Sequence, residues 1–331
     1  MSYTNGLDNP ELYFQCKLYT GDGNDNRAIT FDGSENMQPN LTWFKSRSHA
    51  TWHNVYDSVR GANKSLATNA NNAEETRSDT MDSFDSNGFT LGNDTSQSPN
   101  GLNTNASGYT YVAWCWKESA TAGFDIVSYT GNATARTISH SLSAVPKVIL
   151  GKRRSDASNW CMYHESYGNT KSLYLNNNTV GATSTTFWND TNPTSSVFTV
   201  GTDAALNGNT DTQIAYLWSE KQGFSKFGTY VSNNTTDNAF IYTGFKPAFL
   251  IAKSTTSTNN WVMHDNKRNT FNPRSAKLYP DIANSEDTEA DWDFLSNGLK
   301  LRAGAGANTF IYMAFAEAPF VNSKGVPCNA R

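Results

Sequence analysis

The sequence predicts an all-β protein built from three tandem antiparallel β-sandwich domains of jelly-roll-like form. Three observations favour this class: a triple internal repeat, apolar residues that alternate with period two, and frequent Asn, Gly, Ser and Thr turns. Charged residues make up 17% of the 331 residues and aromatic residues 13%. Thr, Tyr, Phe and Trp fit pleated sheets, and Asn-Gly pairs form tight turns, so the composition agrees with the pattern.

The repeats set the number of domains. A proline is followed six residues later by a lysine in each repeat, and the prolines lie 107 and 101 residues apart at Pro39, Pro146 and Pro247. A period of this length indicates domains that each bury their own core, rather than solenoid turns that depend on their neighbours. We therefore expect a leader at 1–17, repeats at 18–119, 120–222 and 223–331, and a C-terminal tail within the last of these.

Tryptophans at equivalent strand positions are expected in the core. Val112, Trp114 and Trp116 alternate onto one face of a strand. The predicted core tryptophans are Trp43, Trp114, Trp116, Trp160, Trp218 and Trp261.

The leader contains an apolar group that an isolated segment would not leave in water, namely Leu7, Leu12, Tyr13 and Phe14. Either it packs on the first sandwich or it docks into another protein, and docking is the interpretation that we favour.

Composition excludes several classes of partner. Net charge is −4 and no basic face is evident, which argues against nucleic acid. No apolar run reaches the ~18 residues of a membrane helix, and the polar start is not a signal peptide, so we expect synthesis in a cytoplasm without membrane insertion. The cysteines lack metal-ligand spacing, so neither a metal nor a cofactor is expected, and Cys115 and Cys161 should be buried thiols.

Two polar patterns in the sequence could in principle form catalytic sites. Eighteen residues after each proline lies one of Asp57, His164 and Asp265. We call these three equivalent positions the polar column. The column is either an acid–base position that varies between repeats or, as we favour, a polar strand end whose charge is paired with a nearby arginine, Arg60 or Arg268. The second pattern is a run of alternating carboxylates, Asp287, Glu289, Asp291 and Asp293. Two of them could form the carboxylate pair of a glycosidase, but a charged loop is the interpretation that we favour. We predict no catalytic residues, so the protein should not be an enzyme.

Three tryptophans in polar, turn-like contexts are candidate sugar-binding residues: Trp52, Trp188 and Trp292. An exposed indole stacks on a sugar ring while neighbouring amides bond its hydroxyls. The alternative, which such positions more often support, is that these rings seal sandwich ends or domain junctions.

Several strings carry a family resemblance: residues 7–15, 56–61 (Tyr-Asp-Ser-Val-Arg-Gly), 83–92, 112–117, 223–228 and 325–331. They resemble the repeat-containing, tail-fibre-like virion proteins of marine tailed bacteriophages, including those that infect cyanobacteria. The likeness covers nearly the whole chain. It implies a structural protein displayed on a phage particle and supplies no catalytic or ligand residue. Many members attach these repeats to a longer protein, and the short leader here favours a compact tip, a short appendage or a capsid-bound fibre.

The resemblance leads to three functional hypotheses. The first is a non-enzymatic tail fibre or appendage that shows its loops to host-surface polysaccharide, since low charge suits contact in salty water. The second is a capsid-bound head fibre or decoration protein, and the third is a tailspike depolymerase with an acidic cleft. Expected partners are other virion proteins, host glycans and two further copies in a homotrimer, because aromatic faces would be buried between chains. The expected location is the virion, assembled in the host cytoplasm.

Overall fold

The first repeat contains two antiparallel sheets. The structure is a computed structural model that describes residues 7–95 and 103–327. After a 3₁₀ turn at Pro10–Leu12, the strands are β1 Phe14–Thr20, β2 Arg27–Thr30, β3 Leu41–Ser46, β4 Asn54–Asp57, β5 Gly61–Ala67, β6 Glu75–Thr76, β7 Met81–Asp85, β8 Gly88–Leu91 and β9 Thr110–Trp116. The large sheet has the order β1-β9-β3-β4-β5-β6 and the small sheet β2-β8-β7.

The second repeat has the same arrangement with one short helix. Its elements are β10 Phe124–Thr130, β11 Arg136–Ser139, β12 Val148–Arg153, β13 Cys161–His164, β14 Lys171–Tyr174, β15 Ala182–Thr183, β16 Val197–Val200, α1 Ala204–Asn207 and β17 Thr212–Trp218. The large sheet runs β10-β17-β12-β13-β14-β15, and β11 pairs with β16.

The third repeat pairs two four-stranded sheets. Its strands are β18 Ser225–Val231, β19 Phe240–Tyr242, β20 Phe245–Ser254, β21 Val262–Asp265, β22 Arg274–Lys277, β23 Asp287–Leu295, β24 Gly298–Leu301 and β25 Thr309–Pro319. The sheet β18-β25-β20-β21 corresponds to the large sheets of the other two repeats and is called the large sheet here, and the sheet β19-β24-β23-β22 is the counterpart of their small sheets.

The predicted all-β, antiparallel class is confirmed. In every large sheet the first strand lies beside the last, which lies beside the strand that carries or follows the repeat proline. Pro39 and Pro146 stand two residues before β3 and β12, whereas Pro247 lies inside β20, where the pairing with β25 shifts register. A proline removes one ladder donor, so its position at an irregularity agrees with its chemistry.

Each repeat has a core of its own between its large and small sheets. Phe44 and Phe89 pack there in the first repeat, Ile149 and Phe198 in the second, and Leu250, Trp292 and Leu299 in the third. The opposite faces of the three large sheets bury a further cluster drawn from all repeats. We call this cluster the central core.

The central core contains all six predicted core tryptophans, which are buried as expected. Rings from different repeats touch: Trp116 lies 6.3 Å from Trp218 and 5.6 Å from Phe315 between centroids, and Trp114 lies 5.7 Å from Phe249. Each repeat therefore buries one sheet face alone and depends on the other two for the second face. The expectation that every repeat is self-sufficient needs this correction.

The leader is part of the fold over the residues described. β1 begins at Phe14, so 14–17 belong to the first large sheet, and Leu7 and Phe14 lie in the central core. Asp8 also accepts a 2.7 Å hydrogen bond from the backbone N–H of Ser323 near the other end of the chain. Leu7 and Phe14 are thus not available to another protein, which corrects the docking interpretation of the leader.

The polar column joins the repeats in a cycle. Asp57 of the first repeat accepts a 2.6 Å hydrogen bond from the Tyr216 hydroxyl of the second. His164 of the second has Nε2 3.2 Å from the Tyr312 carbonyl oxygen of the third. Asp265 of the third accepts a 3.0 Å bond from Trp114 Nε1 of the first. All three column residues are buried, so the strand-end interpretation describes them better than an acid–base role.

Each of these contacts between two repeats is called a joint here, and at two of the three joints the column residue is a carboxylate in a buried ion-pair network. At the first of these joints Asp57 pairs with Arg60, which also pairs with Glu74 at 3.2 Å. Arg154 of the second repeat donates two hydrogen bonds, of 2.8 and 3.0 Å, to the carboxylate of Glu74.

An equivalent network lies at the joint between the third repeat and the first. There Arg268 pairs with Asp265 and Glu286, and Arg47 of the first repeat also pairs with Glu286. At the remaining joint His164 is uncharged at neutral pH, because burial lowers its pKa to about 4.

The repeat lysines are buried at the ends of the strands beside the central core. Lys45, Lys152 and Lys253 are fully buried. Their ammonium groups donate to backbone carbonyls of Ser46, His49, Arg153, Asn71, Ser254 and Ser257. Burial lowers the pKa to about 7 for Lys45 and about 8 for the other two.

We predict that the three buried lysines contribute stability that rises with pH above neutrality. In the unfolded chain a lysine keeps its proton up to about pH 10.4, so between pH 7 and 10 each of these three lysines is more protonated in the unfolded state than in the folded state. Burial raises the pKa of Cys16, Cys115 and Cys161, so these thiols oppose the lysines above about pH 8.5. Urea unfolding at pH 7, 8 and 9 should show a gain of up to about 1.4 kcal/mol per pH unit for each lysine. Lys45→Met should flatten this slope, and an unchanged slope in that variant would contradict the assignment.

Candidate functional site

A groove with two adjoining cavities lies in the third repeat. The inner cavity, of about 470 Å³, and the outer cavity, of about 490 Å³, share Tyr279 and Asn260 in their walls. The first and second repeats also contribute, because Ala50 lines the outer cavity and Asn178 the inner one. We call the two cavities together the Tyr279 groove.

Aromatic rings form the apolar floor of the inner cavity. Tyr230 and Phe310 stack with centroids 5.0 Å apart, and Trp292 meets Tyr230 edge-on at 5.6 Å. These rings belong to the core between the two sheets of the third repeat, so the sandwich itself holds them in place. Amide side chains of Asn178, Asn259 and Asn260 line the same cavity.

Tyr279 stands between the two cavities. Its ring is half-buried, its hydroxyl donates a 2.9 Å hydrogen bond to Asp287, and Lys277 Nζ lies 5.5 Å from the ring centroid. Burial, opposed by the charge of Lys277, raises the pKa of Tyr279 to about 12, so its hydroxyl stays protonated at neutral pH. The ring is held by its hydroxyl while part of its surface faces the groove.

Lys277 is occupied by two carboxylates. It pairs with Glu289 and, at 3.1 Å, with Asp291. Although burial opposes it, these two partners raise the pKa of Lys277. Burial raises the pKa of Asp291, and the bond from Tyr279 lowers the pKa of Asp287.

The first two repeats close the equivalent end of the sandwich. The hydroxyl of Tyr19 donates 2.6 Å to the Thr104 carbonyl, and that of Tyr129 donates 2.7 Å to the Leu206 carbonyl. The next residue in each repeat is a buried asparagine, Asn105 or Asn207. Its amide bonds carbonyls at 2.7–2.9 Å and ties the covering segment down.

The third repeat carries glycine at that position. Asn105 and Asn207 lie six residues before Tyr111 and Gln213, the strand partners of Tyr19 and Tyr129. Gly304 lies six residues before Phe310, the partner of Tyr230. Glycine has no side chain to make the closing bonds, and both Tyr230 and Gly304 line the inner cavity.

The three candidate sugar-binding tryptophans lie in different environments. Trp292 lines the inner cavity but is only 2% exposed, and Trp188 is 2% exposed in the core of the second repeat, edge-on to Tyr163. Trp52 is half-buried just before β4. The expectation of exposed indoles is thus corrected for Trp188 and Trp292, whose rings fill sandwich cores. The structure does not bring the three together.

Sequence reasoning missed Tyr279, Asn259 and Asn260, which sit outside the repeated strand motifs. It also placed the alternating carboxylates in a loop, whereas they lie in β23. Glu289 and Asp291 share Lys277, and Asp293 pairs with Arg302 at 2.6 Å. An alignment of the three repeats around Gly304 would have been the available signal.

A third cavity, of about 730 Å³, adjoins the link between the second and third repeats. Tyr242 lines it and is 60% exposed, and the pair Glu220–Lys226, 2.7 Å apart, forms part of its wall. Buried aromatic rings do not floor this cavity as they do the Tyr279 groove.

Cys16, Cys115 and Cys161 are free and buried, and Cys328 lies outside the described residues. Over 7–95 and 103–327 no His, Cys, Asp and Glu side chains form a group of three suited to a metal ion. In the same part of the chain no helix is both long and apolar enough to cross a bilayer.

Comparison with known proteins gives one family. A search of curated proteins finds no match to the chain. The sequence model of a family described as "Domain of unknown function (DUF7483)" matches residues 9–319, which takes in all three repeats as one unit. The chain belongs to this DUF7483 family.

Proposed function

We propose that this protein is a non-enzymatic structural protein of a phage virion, an appendage that recognises host-surface polysaccharide. The resemblance to tail-fibre-like virion proteins supports the virion location. The observation that carries the binding role is the Tyr279 groove, in which a half-buried ring lies between two cavities of similar volume.

The groove suits a sugar chain for physical reasons. The half-buried ring of Tyr279 offers an apolar surface to the C–H face of a sugar, and amides beside it bond hydroxyls. Asn259 and Asn260 provide such amides. Two adjoining cavities that share Tyr279 and Asn260 would let consecutive units of a polymer bind on either side of the ring.

Glu289 and Asp291 are the residues that could serve the depolymerase alternative, because glycoside hydrolysis uses two carboxyl groups. Both are bonded to Lys277, which ties each carboxylate to a cation rather than leaving it poised as an acid or a base. We therefore propose binding without cleavage. A fall in the viscosity of host polysaccharide on incubation with the protein would favour the depolymerase instead.

The assembly remains a prediction. The aromatic faces that favoured a homotrimer are buried between the repeats of one chain. The homotrimer now rests on the resemblance alone, and light scattering at micromolar concentration would decide it. The head-fibre alternative would be decided by locating the labelled protein on the particle.

We predict that Tyr279→Ala weakens binding to host polysaccharide about tenfold, since loss of one stacking ring costs on the order of 1 kcal/mol. Isothermal titration with purified polysaccharide would measure this. Tyr242→Ala is the matched control, because it removes an exposed tyrosine of the other cavity and should leave affinity unchanged. Equal affinity for Tyr279→Ala and the parent protein would refute the role of the groove.

A further inference from the structure

The walls of the Tyr279 groove carry an excess of carboxylates. Four acidic side chains line the two cavities, and Lys277 is the cation among the lining residues. The acidic residues are Glu286, Asp287, Glu289 and Asp291.

These groups are not equally neutralised. Glu286 is bonded by Arg47 at 2.8 Å and by Arg268 at 3.1 Å, so its charge is compensated within the joint. The single charge of Lys277 is divided between Glu289 and Asp291.

One net negative charge therefore remains on the group formed by Glu289, Asp291 and Lys277, and Asp287 adds a second negative charge at the groove. The side chain of Glu289 is 60% exposed, which places its carboxylate at the mouth, where a ligand would meet it. Asp287 accepts its hydrogen bond from the neutral hydroxyl of Tyr279, which does not cancel its charge.

We propose that the Tyr279 groove takes non-acidic sugar units, bearing hydroxyl, amide or free amino groups, and rejects units that carry carboxylate, sulfate or phosphate. This rests on the proposed function and names the ligand class of the same groove. An anionic unit would approach Glu289 and Asp287 without a free cation in the wall, and burying like charges together is unfavourable. Carboxylates and amides instead accept and donate the hydrogen bonds that neutral hydroxyls and amines need.

The test uses the whole protein on immobilised oligosaccharides of matched length in neutral, amine-bearing and acidic series, with EDTA present so that divalent cations cannot bridge. Neutral or amine-bearing members should bind at least about tenfold more tightly than their acidic counterparts. Acidic members that bind equally or better would overturn the inference and leave the proposed function standing. Failure to bind any series would overturn both.

A charge-reversal variant links the preference to the groove. Glu289→Lys removes one carboxylate partner of Lys277 but leaves Asp291, and circular dichroism would verify the fold of the variant. The variant should raise binding of acidic members about tenfold at low salt. Glu35→Lys makes the same charge change at an exposed site in the first repeat. If both variants raise acidic binding equally, the preference reflects overall charge and the groove assignment is wrong.

Discussion

Trp114→Ala is expected to lower the free energy of unfolding by about 3–5 kcal/mol, the usual cost of removing a large aromatic ring from a core. Trp114 is fully buried where the sheets of the first and third repeats meet. Its loss also takes the Nε1 donor away from buried Asp265. Because the three repeats share the central core, we expect the parent protein and the Trp114→Ala variant each to unfold in one cooperative transition.

Urea unfolding followed by both fluorescence and circular dichroism would measure this effect. Trp114→Phe is the matched control: it keeps a ring in the core and loses the hydrogen bond, so a smaller loss of about 1–3 kcal/mol is expected. Separate transitions for individual repeats, or a negligible effect of Trp114→Ala, would show that the central core does not couple them.

Arg60→Met is expected to cost about 3–5 kcal/mol, because it leaves a carboxylate unpaired in a buried site. Asp57 and Arg60 both have fully buried side chains, and Arg60 also bonds the Val55 and Lys64 carbonyls at 2.9 Å. Glu74 would keep only Arg154 as a cation partner. The same denaturation assay applies.

The double variant Asp57→Asn/Arg60→Met separates charge from packing. Replacing both members of a buried ion pair is often far less costly than removing one. We expect the double variant to be more stable than Arg60→Met, and it should still accept the Tyr216 bond through the asparagine carbonyl. A double variant that is less stable than the single variant would contradict a penalty from unpaired charge.

Local pattern was enough to predict the strands and their inward faces. The alternation of Val112, Trp114 and Trp116 places apolar side chains on one face, and all three lie in the central core. The same spacing argument predicts Asp57 as a polar strand end and Arg60 as its ion-pair partner, and the two do pair. These predictions use residues within a few positions of one another, where backbone geometry alone dictates which side chains meet.

What the sequence could not show depends on contacts between distant segments. Trp114 and Asp265 are 151 residues apart, and the periodicity of the sequence does not indicate the hydrogen bond between them. The burial of Leu7 likewise follows from the closure of three sheets around one core. Tyr279 lies outside the repeated motifs, so its place between two cavities depends on how the repeats are joined.

The closed cycle of joints also fixes how many copies of the repeat this architecture can hold. Each large sheet presents one face to the central core, and the third repeat returns to the first through Asp265 and Trp114. A fourth copy would find no open neighbour, and loss of one copy would expose two aromatic sheet faces to water. Solenoid proteins lengthen and shorten by gaining and losing units. Variation within this ring is therefore expected in the side chains and loops of its three units, as the difference between Asn105, Asn207 and Gly304 at equivalent positions illustrates.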